Sequence, residues 1–338
     1  NSRGTKIFIG VVLALVIIVA LFFGLSRFIT DLMWYGQLGF QSVVWTQFGV
    51  KIGLWVAYAL LMALTGFIAA WLAIRARPDS ADGSTIRING DVVEVGKSAS
   101  SKTARRVAVV ISLIVGVIFG SQFNANWSEI LLMFNAQKFG TTDPQFGLDN
   151  GFYVFVLPGL KLVLAAVAML LGVGLVFSLV THVLMGGIRI TMPVNGRGLF
   201  SITKRARRQL GIWLILNMLA WSVRQVLSVF EQLTVQGSRI TGASYTAVHA
   251  NIPVTFIMAA LTAILGVVLG VWLMRSHALE GQASIGVRAS AALKAWRVPV
   301  IAIAATVVVG MVLTIAWPML LQLSLIHISE PTRLRCIS

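Results

Sequence analysis

Ile7–Ser26 (IFIGVVLALVIIVALFFGLS), closed off by Lys6 and Arg27, is a run of 20 residues without a charge. An apolar helix of about 20 residues is what crosses the hydrocarbon core of a bilayer. Arg3 and Lys6 in front of it also suit a secretory signal. The run is longer than a signal core, however, and no small-residue cleavage site follows Gly24, so it reads as an anchor. Working outward, Lys51 to Arg75 encloses 23 uncharged residues, Arg106 to Glu129 22, Lys161 to Arg189 27, Arg239 to Arg275 35 and Arg297 to Glu330 32. A further run from Gln209 to Phe230 is interrupted only by Arg224. The sequence therefore predicts seven spans, at about 7–26, 48–74, 107–123, 158–185, 210–230, 252–274 and 298–321.

The composition agrees. Of 338 residues 57% are hydrophobic and 11% charged, with a mean hydropathy of +0.88. Soluble domains carry roughly 25% charged residues, so a soluble globular enzyme is excluded. The net charge of +16 would suggest a nucleic-acid partner in a soluble chain. Here it sorts by loop. The N-terminus and the 75–106, 186–209 and 275–297 loops hold 19 of the basic residues, and the alternate loops hold four, Arg27, Lys51, Lys138 and Arg239. By the positive-inside rule the N-terminus is cytoplasmic and the C-terminus outside. Trp71, Trp213, Trp272 and Trp296 then mark the inner interface, and Trp34, Trp45, Trp127 and Trp317 the outer one.

Three loops have content of their own. In 75–106, Ile86–Val95 alternates around Asn89-Gly90, a hairpin signal that predicts a small cytoplasmic β-hairpin. Gly96-Lys97-Ser98 resembles the end of a phosphate loop, but Asp91 stands where the Walker pattern needs a glycine. In 186–209, Lys204-Arg205-Ala206-Arg207-Arg208 reads as a cluster touching anionic lipid headgroups at the cytoplasmic face. No aromatic residues are interleaved there for base stacking, so nucleic acid is not expected. In the extracytoplasmic segment 124–150, Trp127, Ile130, Leu131 and Phe134 form one apolar helical face, which predicts a short helix on the outer leaflet.

Candidate chemistry is sparse. Glu129, Asp143 and Asp149 carry the oxygen ligands of a hard-cation site, but their spacing fits no EF-hand, and turn-capping carboxylates explain them better. No acid falls within a span, and His182 and His249 fall near span ends as interfacial residues, which weakens proton-coupled transport. Arg224 and Lys161 lie in or beside spans and reach outward by snorkelling. The functional alternative is a polar outer vestibule around Arg224, Asn217 and Tyr245. Gly116-x-x-x-Gly120 and Gly266-x-x-x-Gly270 mark close helix packing. There is no Gly-x-Ser-x-Gly elbow and no His-Glu-x-x-His pair, so no enzyme, metal or cofactor is expected.

Asp31–Phe40 (DLMWYGQLGF), Trp127–Pro158 and Gly242–Pro253 (GASYTAVHANIP) resemble the uncharacterised bacterial membrane-protein family UPF0182, typical of actinobacteria. The resemblance covers about 5–322 and implies an N-terminal seven-span bundle followed by a large extracytoplasmic region. It implies no activity. Residues 324–338 instead resemble translated sequencing-adapter read-through, and the lone cysteine, Cys336, lies there. With no initiator methionine, the chain reads as a fragment whose native part is 1–323.

The expected fold is all-α: seven transmembrane helices, N-terminus in and C-terminus out, with an outer interfacial helix and a small cytoplasmic β-hairpin. The expected protein is a non-enzymatic anchor or scaffold in the bacterial plasma membrane, with envelope proteins or a second copy as partners beside the bilayer. The alternative is a transporter or channel.

Overall fold

The computed structural model describes residues 2–76, 84–88, 91–95, 101–124, 126–190, 200–234, 242–276 and 285–324. Among these the chain forms eight α-helices: α1 (Ser2–Gln37), α2 (Gln41–Arg75), α3 (Ser101–Asn124), α4 (Trp127–Phe134), α5 (Leu157–Leu184), α6 (Lys204–Glu231), α7 (Ile252–Arg275) and α8 (Ile285–Met311). Seven helical stretches are long and apolar enough to cross a membrane, and α4 alone is too short. This is the pattern of a multi-pass membrane protein.

Among the described residues three single π-helical turns punctuate it: π1 (Phe152–Val156), π2 (Ala247–Asn251) and π3 (Val312–Ala316). Each is followed, one residue later, by a proline: Pro158, Pro253 and Pro318. In each, the residue before the proline gives its N–H five residues back: Leu157 to Phe152, Ile252 to Ala247, and Trp317 to Val312. A proline has no N–H and its ring crowds the carbonyl four residues earlier. Widening the preceding turn relieves that clash, and the chain then continues as α-helix.

The helices form a row, α3–α2–α5–α6–α7–α8, with α1 leaning on α2 through Phe28 against Trp45 and Phe48. Small residues set the close crossings. A Cβ at Gly116 or Gly120 would meet Ala59, Ala63 or Trp55 of α2. One at Gly266 or Gly270 would meet Met218 or Ile215 of α6, and Gly211 of α6 lies against Met274 and the Gly270 carbonyl of α7. Both Gly-x-x-x-Gly motifs therefore serve seams within this chain, where backbones approach closely enough for dispersion to replace the missing hydrophobic drive. Many of the buried side chains are accordingly small, Ala69, Ala70, Ala73, Ala206 and Ala259 among them, while most large apolar residues lie on the outside of the spans.

The expected fold class needs correction. An all-α bundle carrying a small hairpin in 75–106 is not the architecture found, because helices alone carry the bundle. Ser84–Ile88 pairs with Asp91–Val95 without joining the elements packed into it, and residues 89–90, where the turn was expected, lie outside the described residues. A lone two-stranded ribbon buries too little apolar surface to form a stable unit of its own. The short ribbon that does pack was not expected. Ile188–Ile190 pairs with Phe200–Ile202 between α5 and α6, and Ile188 and Ile202 form a small core with Ala206 and Leu210, flanked by Leu175, Trp272 and Leu273. Gly96–Ser98, His277 and residues 325–338 also lie outside the described residues.

Candidate functional site

The expected polar residues fall into three places. Asp143 and Asp149 organise the loop between α4 and π1. Asp143 Oδ1 accepts the N–H groups of Gln145 (2.8 Å) and Phe146 (2.7 Å), and its Oδ2 accepts Leu148 N–H (3.0 Å) and the Tyr153 hydroxyl (2.8 Å). Asp149 Oδ1 accepts from Phe139 (2.9 Å) and Gly151 (2.7 Å), and Oδ2 from Gly140 (2.9 Å). Gly140 and Gly147 hold the positive φ angles of 74° and 67° that these turns require. Desolvation works against the charge on Asp143, but its four donors outweigh it and hold the carboxyl below the usual carboxylate range. At Asp149 the N–H groups of Phe139 and Gly151 lead the same lowering. The oxygens that a cation would need are thus occupied by donors.

Glu129 sits in the first turn of α4, where an acid complements the helix N-terminus. The helix is held on the bundle. Ile130 is buried, Met133 and the Glu129 carbonyl abut Gly159 of α5, and Lys51 lies over the Trp127 ring at 5.3 Å. The expected apolar face splits, with Ile130 packed inward and Phe134 77% exposed.

Asn217, Arg224 and Glu231 are spaced by seven along one stripe of α6. Asn217 Nδ2 donates to the Leu171 carbonyl of α5 (3.1 Å) and to Trp213 (2.8 Å). Glu231 pairs with Lys161 of α5 at 2.9 Å, so Lys161 has a specific partner beyond the snorkelling expected of it. Arg224, between them, is exposed. Tyr245 is exposed too and stacks on His249 with ring centroids 4.0 Å apart. Among the described residues no hydrogen bond or ion pair joins Arg224, Asn217 and Tyr245, and no group of three His, Cys, Asp or Glu is arranged to hold a metal ion.

Other polar contacts were missed. His182, in the last turn of α5, is buried inside the bundle: it is 1% exposed, and Nε2 lies 3.0 Å from Gln209 Oε1. Gln209 Nε2 donates to Ser178 Oγ (2.7 Å) and to the Ala69 carbonyl (2.8 Å), which ties α6 to α5 and α2 at the strongly basic end. Toward the far end, Ser222 Oγ donates to the Ala259 carbonyl, Gln225 Nε2 to Thr262 Oγ1 and Gln232 Nε2 to Thr255 Oγ1, all across α6–α7. A signal for these was present. Side-chain amides recur at 209, 217, 225 and 232 along the least apolar of the described spans, turning from the side that meets α5 to the side that meets α7. In the basic cluster, Arg207 is 1% exposed, whereas Lys204, Arg205 and Arg208 face outward.

Residues 8–333 match the uncharacterised protein family UPF0182. A UPF0182 protein of Bifidobacterium longum is 92% identical over 318 residues, which cover 94% of this chain and 30% of that protein. One of Bifidobacterium adolescentis is 73% identical over 321 residues, 95% of this chain and 30% of its own length. One of Corynebacterium glutamicum is 30% identical over 295 residues, 87% and 28% respectively. The chain thus spans about a third of the length of these relatives. No solved structure matches it.

Proposed function

Because the chain belongs to UPF0182, a family without an assigned activity, we propose that its seven-span bundle is a non-enzymatic anchor in the bacterial plasma membrane. It holds and orients an extracytoplasmic region for which the relatives' greater length leaves room. One observation supports this most. The far-end loop from Phe139 to Tyr153 is braced through two aspartates and docked on α6, Phe146 and Phe152 packing on Phe230 at 5.0 and 5.7 Å. That arrangement presents a fixed platform at the membrane surface. In this reading the basic end lies in the cytoplasm, where Lys204, Arg205 and Arg208 meet anionic headgroups. Other envelope proteins or further copies of the chain are its partners.

The test is reconstitution of a full-length member of the family in liposomes. No ion or solute should cross faster than in empty vesicles. Flux above that background, abolished by Arg224→Ala in a folded and inserted protein, would replace the anchor with a transporter or channel.

A further inference from the structure

Along the α6–α7 seam the donors are spent before the acceptors. Thr262 Oγ1 donates to the Met258 carbonyl (2.8 Å) and Thr255 Oγ1 to the Asn251 carbonyl (2.7 Å). Each threonine can therefore only accept from its glutamine, which fixes the amide orientation. Gln225 and Gln232 present Nε2 to Thr262 and Thr255 and are left with Oε1 buried and without a donor. Ser222 and Ser228 have committed their protons to the Ala259 and Gln225 carbonyls. The backbone adds to the surplus. Ile252 gives its N–H to Ala247 and Pro253 has none, so Val248 keeps neither its four-residue nor its five-residue helical donor. Val248 lies on the same stripe of α7 as Ile252, Thr255 and Ala259, the stripe whose Thr255 and Ala259 bond α6.

The other half of the seam is packed through glycine, and its one buried unpartnered polar atom among the described residues, Ser276 Oγ, lies at the very end of α7. There Gly266 and Gly270 lie against Met218 and Ile215, and Gly211 against Met274.

We propose that the far half of the α6–α7 seam is a water-entry cleft. It separates to admit water onto Gln225, Gln232 and the Val248 carbonyl, and it closes against the glycine-packed half. A buried acceptor without a donor is costly, and water supplies two donors per molecule. Water suits the seam better than a cation. The free oxygens are all neutral, and Glu231, the nearest carboxylate in sequence, is already paired with Lys161. A cation needs six or more converging oxygens or a carboxylate to repay its dehydration, more than two side-chain amides supply. This inference rests on the seam alone and is independent of the anchor reading.

Thiol accessibility tests it in the full-length protein in membranes, with Cys336→Ser wherever that cysteine is present. Ser222→Cys, in the water-entry half, should react with a hydrophilic, membrane-impermeant thiol reagent about tenfold or more faster than Met218→Cys against Gly266, as expected where local opening differs along one seam. Adding Gln225→Leu and Gln232→Leu should slow the Ser222→Cys reaction and raise the melting temperature. Equal rates at the two positions, or a melting temperature lowered by the double leucine variant, would overturn the cleft. Water-edited solid-state NMR on the unsubstituted protein keeps the test independent of any variant's folding. Side-chain signals of Gln225 and Gln232 should gain water magnetisation with the loop residues, and gain only with the lipid-facing valines would equally overturn it.

Discussion

Asp143 and Asp149 show how far a residue's type can mislead about its use. Carboxylates beside a membrane invite a cation, yet both are consumed by backbone N–H groups and, at Asp143, by the Tyr153 hydroxyl. Their carboxyls are held below the ordinary value of 3.8, so they stabilise the loop above that pH and lose the contribution as the pH falls through their lowered folded-state values. Asp143→Ala should open the loop at neutral pH. It would be read as faster hydrogen exchange at Gln145, Phe146 and Leu148 with the spans unchanged, and the unsubstituted protein should approach that behaviour only once the pH falls below the ordinary carboxylate value. Added calcium should not restore the variant. The basic cluster divides in the same way. Replacing Lys204, Arg205 and Arg208 with glutamine should weaken retention of anionic lipids in native mass spectrometry by about 1 kcal/mol for each charge, with little change in thermal stability. Arg207→Gln should do the reverse, because that side chain is 1% exposed.

At the scale of elements, the glycines separate packing from coincidence. Gly116→Leu and Gly270→Leu put a side chain where another helix's backbone or side chains already lie. Each should cost about 1–3 kcal/mol, the range for overpacking, in thermal or steric-trap unfolding. Gly10→Leu meets nothing within 4 Å and should be silent. The existence of the spans was legible because charges are excluded from hydrocarbon, and the predicted 252–274 differs from Ile252–Arg275 by one residue. Their ends were less so. The second span was expected from 48, but α2 starts at Gln41, because a helix continues through polar residues once it leaves the apolar layer. The partners of the polar residues were not legible at all. Asn217 and Gln225 share a helix, yet one bonds α5 and the other α7, and one-dimensional spacing does not say which neighbour stands on which side. The Ile188–Ile202 ribbon escaped for a related reason. Three-residue strands carry too little alternation to read, and their apolar residues earn a role only from Ala206 and Leu210 beneath them.

The molecule as a whole is a row of helices, and a row has few places where three elements meet. Gln209 is one of them. Its Nε2 reaches the Ala69 carbonyl of α2 and Ser178 of α5, while its Oε1 faces His182 Nε2. With both amide protons spent on oxygen acceptors, Oε1 must accept, so His182 carries its proton on Nε2. The bonds lie where water is scarce, so an unmade partner costs more than the formed bond contributes. Gln209→Leu would orphan the His182 donor, while the Ala69 carbonyl keeps its place in a helix ladder. The expected loss is about 1–3 kcal/mol, centred on His182. Gln209→Glu supplies an acceptor for His182 but no donors for Ser178 and Ala69, and it should recover only part. The loss should also have a shape. The α2–α3 and α6–α7 pairs keep their own glycine seams, so weakening the junction between them should let α6–α7 separate from α2–α3–α5 before either seam opens. Distances measured by spin labels, one pair across α5–α6 and one within α6–α7, should lengthen at different denaturant concentrations in Gln209→Leu and together in the unsubstituted protein. Simultaneous lengthening in the variant would mean that the three-helix junction at Gln209 adds nothing to the cooperativity of the row.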